Sequence, residues 1–154
     1  MVNAPNLVGH LEYHSPTTDG SFSICAANGK GVFISKALYD SIPAEHRPSL
    51  NTSYKPNVDT LNAGIMTSIG TTFFPFILIN KDTGERVRVI LHALVLLNLF
   101  MSMFIGVTGG QIISTSAWGR NGPVFGFNFG QGDDDLMPKA ERDAVQWSAL
   151  VDTQ

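Results

Sequence analysis

Phe73-Phe74-Pro75-Phe76-Ile77-Leu78-Ile79, then Asn80-Lys81-Asp82-Thr83-Gly84-Glu85, then Arg86-Val87-Arg88-Val89-Ile90-Leu91-His92-Ala93-Leu94-Val95-Leu96-Leu97 is the stretch that decides the fold. Two apolar runs rich in aromatic and β-branched residues flank a short polar segment, which is the pattern of two strands and a turn. Val87 and Val89 alternate about Arg88, a period of two residues. Gly84 supplies the positive φ that a tight turn needs. Pro75 has no amide proton to give a ladder, so it predicts an edge position or a bulge.

Working outward, Ser21 to Ala26 reads as a strand and Asn28-Gly29-Lys30-Gly31 as a turn. Val32-Phe33-Ile34 reads as a short buried strand. Ser35 can cap a short helix reaching about Ser41, with Leu38 and Ile42 on its inner face, and Pro43 ends it. Ala44 to Asp59 carries Pro48 and Pro56 and reads as a loop, while Leu61 to Ile69 suits either state. Phe100 to Val107 is a further apolar segment, which Gly109-Gly110 breaks. Gln111 to Ser116 and Val124 to Phe129 are strand candidates. Residues 1–20 read as an irregular N-terminal arm with one short strand, Leu7 to Tyr13. At the other end, Ala140, Ala144, Trp147 and Val151 recur at helical spacing behind Pro138 and the acidic run Asp133-Asp134-Asp135. That predicts an amphipathic C-terminal helix over 138–152. The whole is expected to be a mainly β (or α+β) fold: a small closed or partly open β-barrel-like domain with one short helix and that C-terminal helix.

A chain of 154 residues fits one domain, 1–154, and can bury a core without staples. The charge of −3 and the lack of a dense Lys/Arg run argue against nucleic-acid binding. With Cys25 as the one cysteine, no intrachain disulfide can form. The first residues lack the basic and apolar regions of a secretory signal, so an intracellular, cytoplasmic location is expected. Val89 to Val107 is apolar and about long enough to cross a bilayer as a helix. His92, Asn98 and Ser102 interrupt it, and buried strands are the preferred reading.

Asp82-Thr83-Gly84 spells the active-site triplet of aspartic proteases, whose chemistry needs two close carboxylates sharing a proton. Lys81 before it and Glu85-Arg86 after it mark a solvated hairpin turn instead. A different set of segments resembles the retropepsin-like aspartic proteases. These are Ser23-Ile24-Cys25-Ala26-Ala27-Asn28-Gly29, then Val32-Phe33-Ile34-Ser35-Lys36-Ala37-Leu38-Tyr39, then His92 to Leu99, and finally Met103-Phe104-Ile105-Gly106. In that family an apolar strand leads into an Asp-Thr/Ser-Gly loop. A Phe-Ile-Ser type strand and helix come next, then a flap region, then a strand ending in two apolar residues and Gly. The resemblance places the catalytic loop at Ala27, Asn28 and Gly29, with Ala27 where the Asp belongs. It implies a homodimer that binds an extended peptide, with Ile105 and Gly106 beside the substrate, and an endopeptidase if an Asp stood at that slot. Alanine cannot activate water, so this chain is expected to be inactive as a protease.

Other patterns carry less chemistry. His10 and His14 could share a metal on a helix, but Pro16 and the irregular surroundings speak against one, and no metal or cofactor is expected. Asp133-Asp134-Asp135 lacks the EF-hand pattern, and Gly126 to Gly132 lacks the strand–glycine–helix setting of a dinucleotide site. Cys25 reads as a core residue and His46 as solvated. Two alternatives stand beside the peptide-binding reading. One is a non-enzymatic β-rich interaction or assembly protein of coat or scaffold type, whose partners are proteins. The other is a small-molecule enzyme or carrier with an apolar pocket, in which His92 and Asn98, evenly spaced on one strand, share a face.

Overall fold

The computed structural model describes residues 2–3, 6–27, 29–60, 64–129, 137–138 and 149–153. The strands are β1 (Val2–Asn3), β2 (Leu7–His10), β3 (Ser21–Phe22), β4 (Ile24–Ala26), β5 (Val32–Ser35), β6 (Val58–Thr60) and β7 (Gly64–Met66). They continue with β8 (Ser68–Asn80), β9 (Arg86–Leu96), β10 (Met103–Ile105), β11 (Trp118–Gly119), β12 (Gly122–Pro123), β13 (Met137–Pro138) and β14 (Ala149–Thr153). Helix α1 spans Lys36–Asp40 and α2 spans Val107–Ser116. The fold is mainly β, as the alternating pattern predicts.

The long hairpin is its spine. β8 and β9 pair antiparallel from Ile79↔Arg86 to Ser68↔Leu96, with a register shift between Ser68 and Gly70. At the tip, Gly84 has φ +75° and its N–H donates to Asn80 O at 2.7 Å, while Asp82 N–H donates to Asn80 Oδ1. Asp82, Thr83 and Gly84 are exposed, so this triplet is the solvated turn that its charged neighbours imply. β2 joins β8 only from Ile77 to Asn80, which leaves Pro75 with a strand neighbour on the β9 side alone. That satisfies the edge requirement for proline.

The main sheet runs β1-β4-β10-β5-β9-β8-β2-β3. β3 and β4 are one run of chain interrupted at Ser23, so the two ends of this order meet. Seven strands thus form a nearly closed barrel. Alternation sorts the side chains to two faces. Ile24, Ile34, Phe76, Leu91, Val95 and Ile105 belong to the cluster that fills the barrel. Their sequence neighbours Cys25, Phe33, Leu94, Leu96 and Phe104 form a second cluster outside it, together with Val58 and Met66 of β6 and β7.

Helix α1 starts where expected. Ser35 Oγ accepts the Leu38 N–H at 3.0 Å, and Leu38 and Ile42 are buried. Several expectations change. Gln111 to Ser116 is not a strand but the end of α2, and Gly109-Gly110 lies inside that helix rather than breaking it. The glycines are there for close packing, because a Cβ on Gly110 would overlap the Phe129 ring. Val124 to Phe129 forms no strand, although Phe125 is buried. Residues 1–20 are not merely an arm, since β2 is a barrel strand and Leu7 and Leu11 are core residues. The predicted C-terminal helix falls largely on residues outside those described. Its ends are strands: Met137–Pro138 pairs with β6, and Ala149–Thr153 pairs antiparallel with β9 from Leu91 to Val87. β5 reaches only Leu94 to Leu96 on that edge of β9, so the lower half offers unpaired backbone groups, and β14 satisfies them. No helix among the described residues is long and apolar enough to cross a membrane.

Phe76 is fully enclosed by the barrel. Phe76→Ala is expected to lower the unfolding free energy by about 3–5 kcal/mol, read from urea denaturation.

Candidate functional site

Strand β10 has β4 on one side, parallel, and β5 on the other, antiparallel. Phe104 lies opposite both Cys25 and Phe33. Past the strand ends, Ala27 and the segment Gly29 to Gly31 close against the start of α2. Ala27 N–H donates to Ile105 O at 3.0 Å, Gly106 N–H to Gly31 O at 3.0 Å, and Val107 N–H to Gly29 O at 2.9 Å. Gly106 admits no side chain here, because a Cβ would overlap the carbonyl oxygens of Gly29 and Gly31. Residues 24–27, 29–35 and 103–107 are therefore one hydrogen-bonded unit.

Ala27 is completely buried in the outer apolar cluster. The β6–β7 hairpin brings Val58 and Met66 into that cluster. It is anchored beside it by Leu97 N–H donating to Thr67 O at 3.0 Å and by Ser68 Oγ donating to Pro56 O at 2.5 Å. Leu94 and Leu96 continue the same floor along β9. The result is an apolar patch on the barrel wall under a hairpin cover. The burial that encloses it raises the pKa of the Cys25 thiol and keeps it in the neutral form. Asn28 lies outside the described residues.

The other named residues divide. Gly29 is buried and Ile105 faces the barrel interior, so Ile105 cannot itself line the outer patch. His92 and Asn98 do not share a face: β9 ends at Leu96, and Asn98 sits exposed in the following turn. His92 is half-buried on β9 and stacks on Phe73 of β8, with ring centroids 4.6 Å apart and planes 11° apart. Sequence reading missed Val58 and Met66. Each sits in a strand of three residues, too short for alternation to stand out, and Gly64 with φ +78° is the turn signal left to read.

Two open cavities lined by described residues lie elsewhere. One of about 350 Å³ is lined by Glu85, Arg86, Trp118 and Phe125, among others. The other, of about 460 Å³, is lined by Glu12, Tyr13, His14, Pro16, Glu45 and His46, among others. Neither is lined by Ala27, His92 or Asn98. The chain matches no protein-family model, no curated protein and no solved structure.

Gly106→Ala is expected to destabilise the fold by about 1–3 kcal/mol or more, because backbone rather than a side-chain tip must give way. Chemical denaturation reads this directly. Burial also holds the His92 imidazole below its ordinary range, since desolvation penalises the charged form. The unfolded chain then takes up this proton more readily than the folded one. The stability linked to His92 is complete above the unfolded value of about 6.5 and is lost as pH falls below it. Between pH 7 and pH 5, stability should drop more for the native chain than for His92→Gln.

Proposed function

We propose that this is a retropepsin-like peptide-binding domain that holds an extended peptide against the apolar patch around position 27 and does not cut it. The observation that supports the reading most is the β4–β10–β5 unit. The segments that carry the family resemblance are adjacent strands, and Gly106 is pinned against the loop where a catalytic Asp would stand. The β6–β7 hairpin over Ala27 suits a cover that admits a strand-like ligand. Alanine at 27 leaves no carboxylate to activate water, so affinity without hydrolysis is the consistent activity. Apolar residues at 25, 33, 94, 96 and 104 favour a peptide with aliphatic or aromatic side chains over a charged one.

A second reading, an interaction or assembly protein, draws on Ile65, Leu97 and Phe100, which are exposed near the same cluster. Large exposed apolar groups suit a protein partner. A strict monomer in light scattering at high concentration counts against this alternative.

Fluorescence anisotropy with labelled extended peptides rich in Leu and Phe tests the first reading. Saturable binding is expected, with slowed amide exchange in residues 24–33 and 64–66. Failure of every such peptide to bind, with no change in exchange, would overturn it. Ala27→Asp provides a second measurement. Its carboxyl enters an apolar site, so its pKa is raised and the variant's loss of stability relative to the native chain should be smaller at pH 4 than at pH 7. If two copies bring these groups together, slow peptide cleavage should appear at acidic pH.

A further inference from the structure

The loop that joins β2 to β3 carries an arrangement that the peptide-binding reading leaves unused. His10 is the last residue of β2, and His14 follows in the loop. Their ring centroids are 5.4 Å apart. With a Zn–N bond of about 2.0–2.1 Å, two imidazoles on one tetrahedral ion place their centroids roughly 5 Å apart. The spacing matches without a helix.

The tautomers match as well. His10 Nδ1 lies 2.9 Å from Leu11 O, and His14 Nδ1 lies 2.9 Å from Ser15 O. A carbonyl only accepts, so each Nδ1 carries the proton and each Nε2 keeps its lone pair. Thr18 Oγ1 does not alter this, because its own proton goes to Ser15 O at 3.0 Å. An imidazole whose Nδ1–H is tied to a backbone carbonyl is the usual oriented metal ligand. Gly20, at φ +75°, keeps the second ring clear: a Cβ there would stand 3.0 Å from His14 Nε2. Asp19 sits close enough that both imidazoles help to lower its carboxyl pKa, after the larger effect of hydrogen bonds from Ser21. Its negative charge offsets part of an incoming cation's charge. Glu12 is not available as a ligand on the same terms, because its Oε1 accepts from Arg88 Nε at 2.9 Å.

We propose that His10 and His14 form a two-imidazole site for a borderline divalent ion of the Zn²⁺ class, with water completing the coordination. Among the described residues no set of three or more His, Cys, Asp or Glu side chains is placed to hold a metal, and the site stands on the two imidazoles. Such a site clips the β2–β3 loop at the point where the barrel closes.

Titration of Zn²⁺ into the full chain by calorimetry, in a buffer that does not chelate, is the test. One ion per chain is expected, and His10→Gln and His14→Gln should each weaken binding at least about tenfold. His46→Gln should leave it unchanged. NMR of the unaltered chain gives a readout independent of whether the variants fold: Zn²⁺ should shift the ring protons of His10 and His14 together, ahead of those of His46 and His92. Absence of stoichiometric binding, its survival in the double variant, its loss in His46→Gln, or shifts confined to other histidines would overturn the proposal.

Discussion

Met103–Ile105 is only three residues long, yet both of its edges are bonded. One edge holds β4 in parallel and the other holds β5 antiparallel, although the chain between β5 and β10 includes the whole long hairpin. Ordering so distant a strand costs loop-closure entropy that its own ladder can hardly repay. The return comes from burial on two sides. Met103 and Ile105 fill the barrel while Phe104 anchors the outer cluster, and all three are fully buried. Without β10, β4 and β5 would face each other across an empty slot. The Ala27 amide would also lose its acceptor, the Ile105 carbonyl.

The same wall serves two interiors. Along β4, β5, β9 and β10, odd and even positions alternate between the barrel core and the outer patch. A one-residue register slip would exchange the two sets. That double constraint explains why these strands read as unbroken apolar runs, Val32-Phe33-Ile34 and Met103-Phe104-Ile105, rather than as amphipathic alternation. It also explains why residues 93–96 are continuously buried, whereas Arg88 and Ile90, lower on the same strand, are only partly so.

What was legible in the sequence follows the length and one-sidedness of each signal. The β8–β9 hairpin, its Gly84 turn, the edge role of Pro75 and the Ser35 cap are local, and each was readable. The fate of the C-terminal segment was not. Helical spacing at Ala140, Ala144 and Trp147 says nothing of an open edge on β9, and the Ala149–Thr153 strand is decided by that vacancy. Helix α2 failed for a related reason. Gly109-Gly110 lowers helix propensity, and only the approach of Phe129 reveals why small residues stand there. Around position 27, the strands Ile24–Ala26 and Val32–Ser35 were legible as short apolar runs. The cover from Val58 and Met66 was not, because it comes from short strands in a Pro-rich stretch.

Position 27 ties these threads together. It lies directly beyond a strand, its amide is bound to Ile105, and its side chain is enclosed by apolar neighbours. A lone carboxylate in that place would be desolvated without a partner, at a cost of several kcal/mol unless it took up a proton. Alanine avoids that conflict and shares one buried cluster with Val58 and Met66 of the hairpin. An apolar residue enclosed in this way adds to the buried cluster instead of opposing it. The same enclosure ties the β6–β7 hairpin to the barrel wall through Val58 and Met66, so that strands β4, β5, β9 and β10 serve the inner and the outer cluster at once.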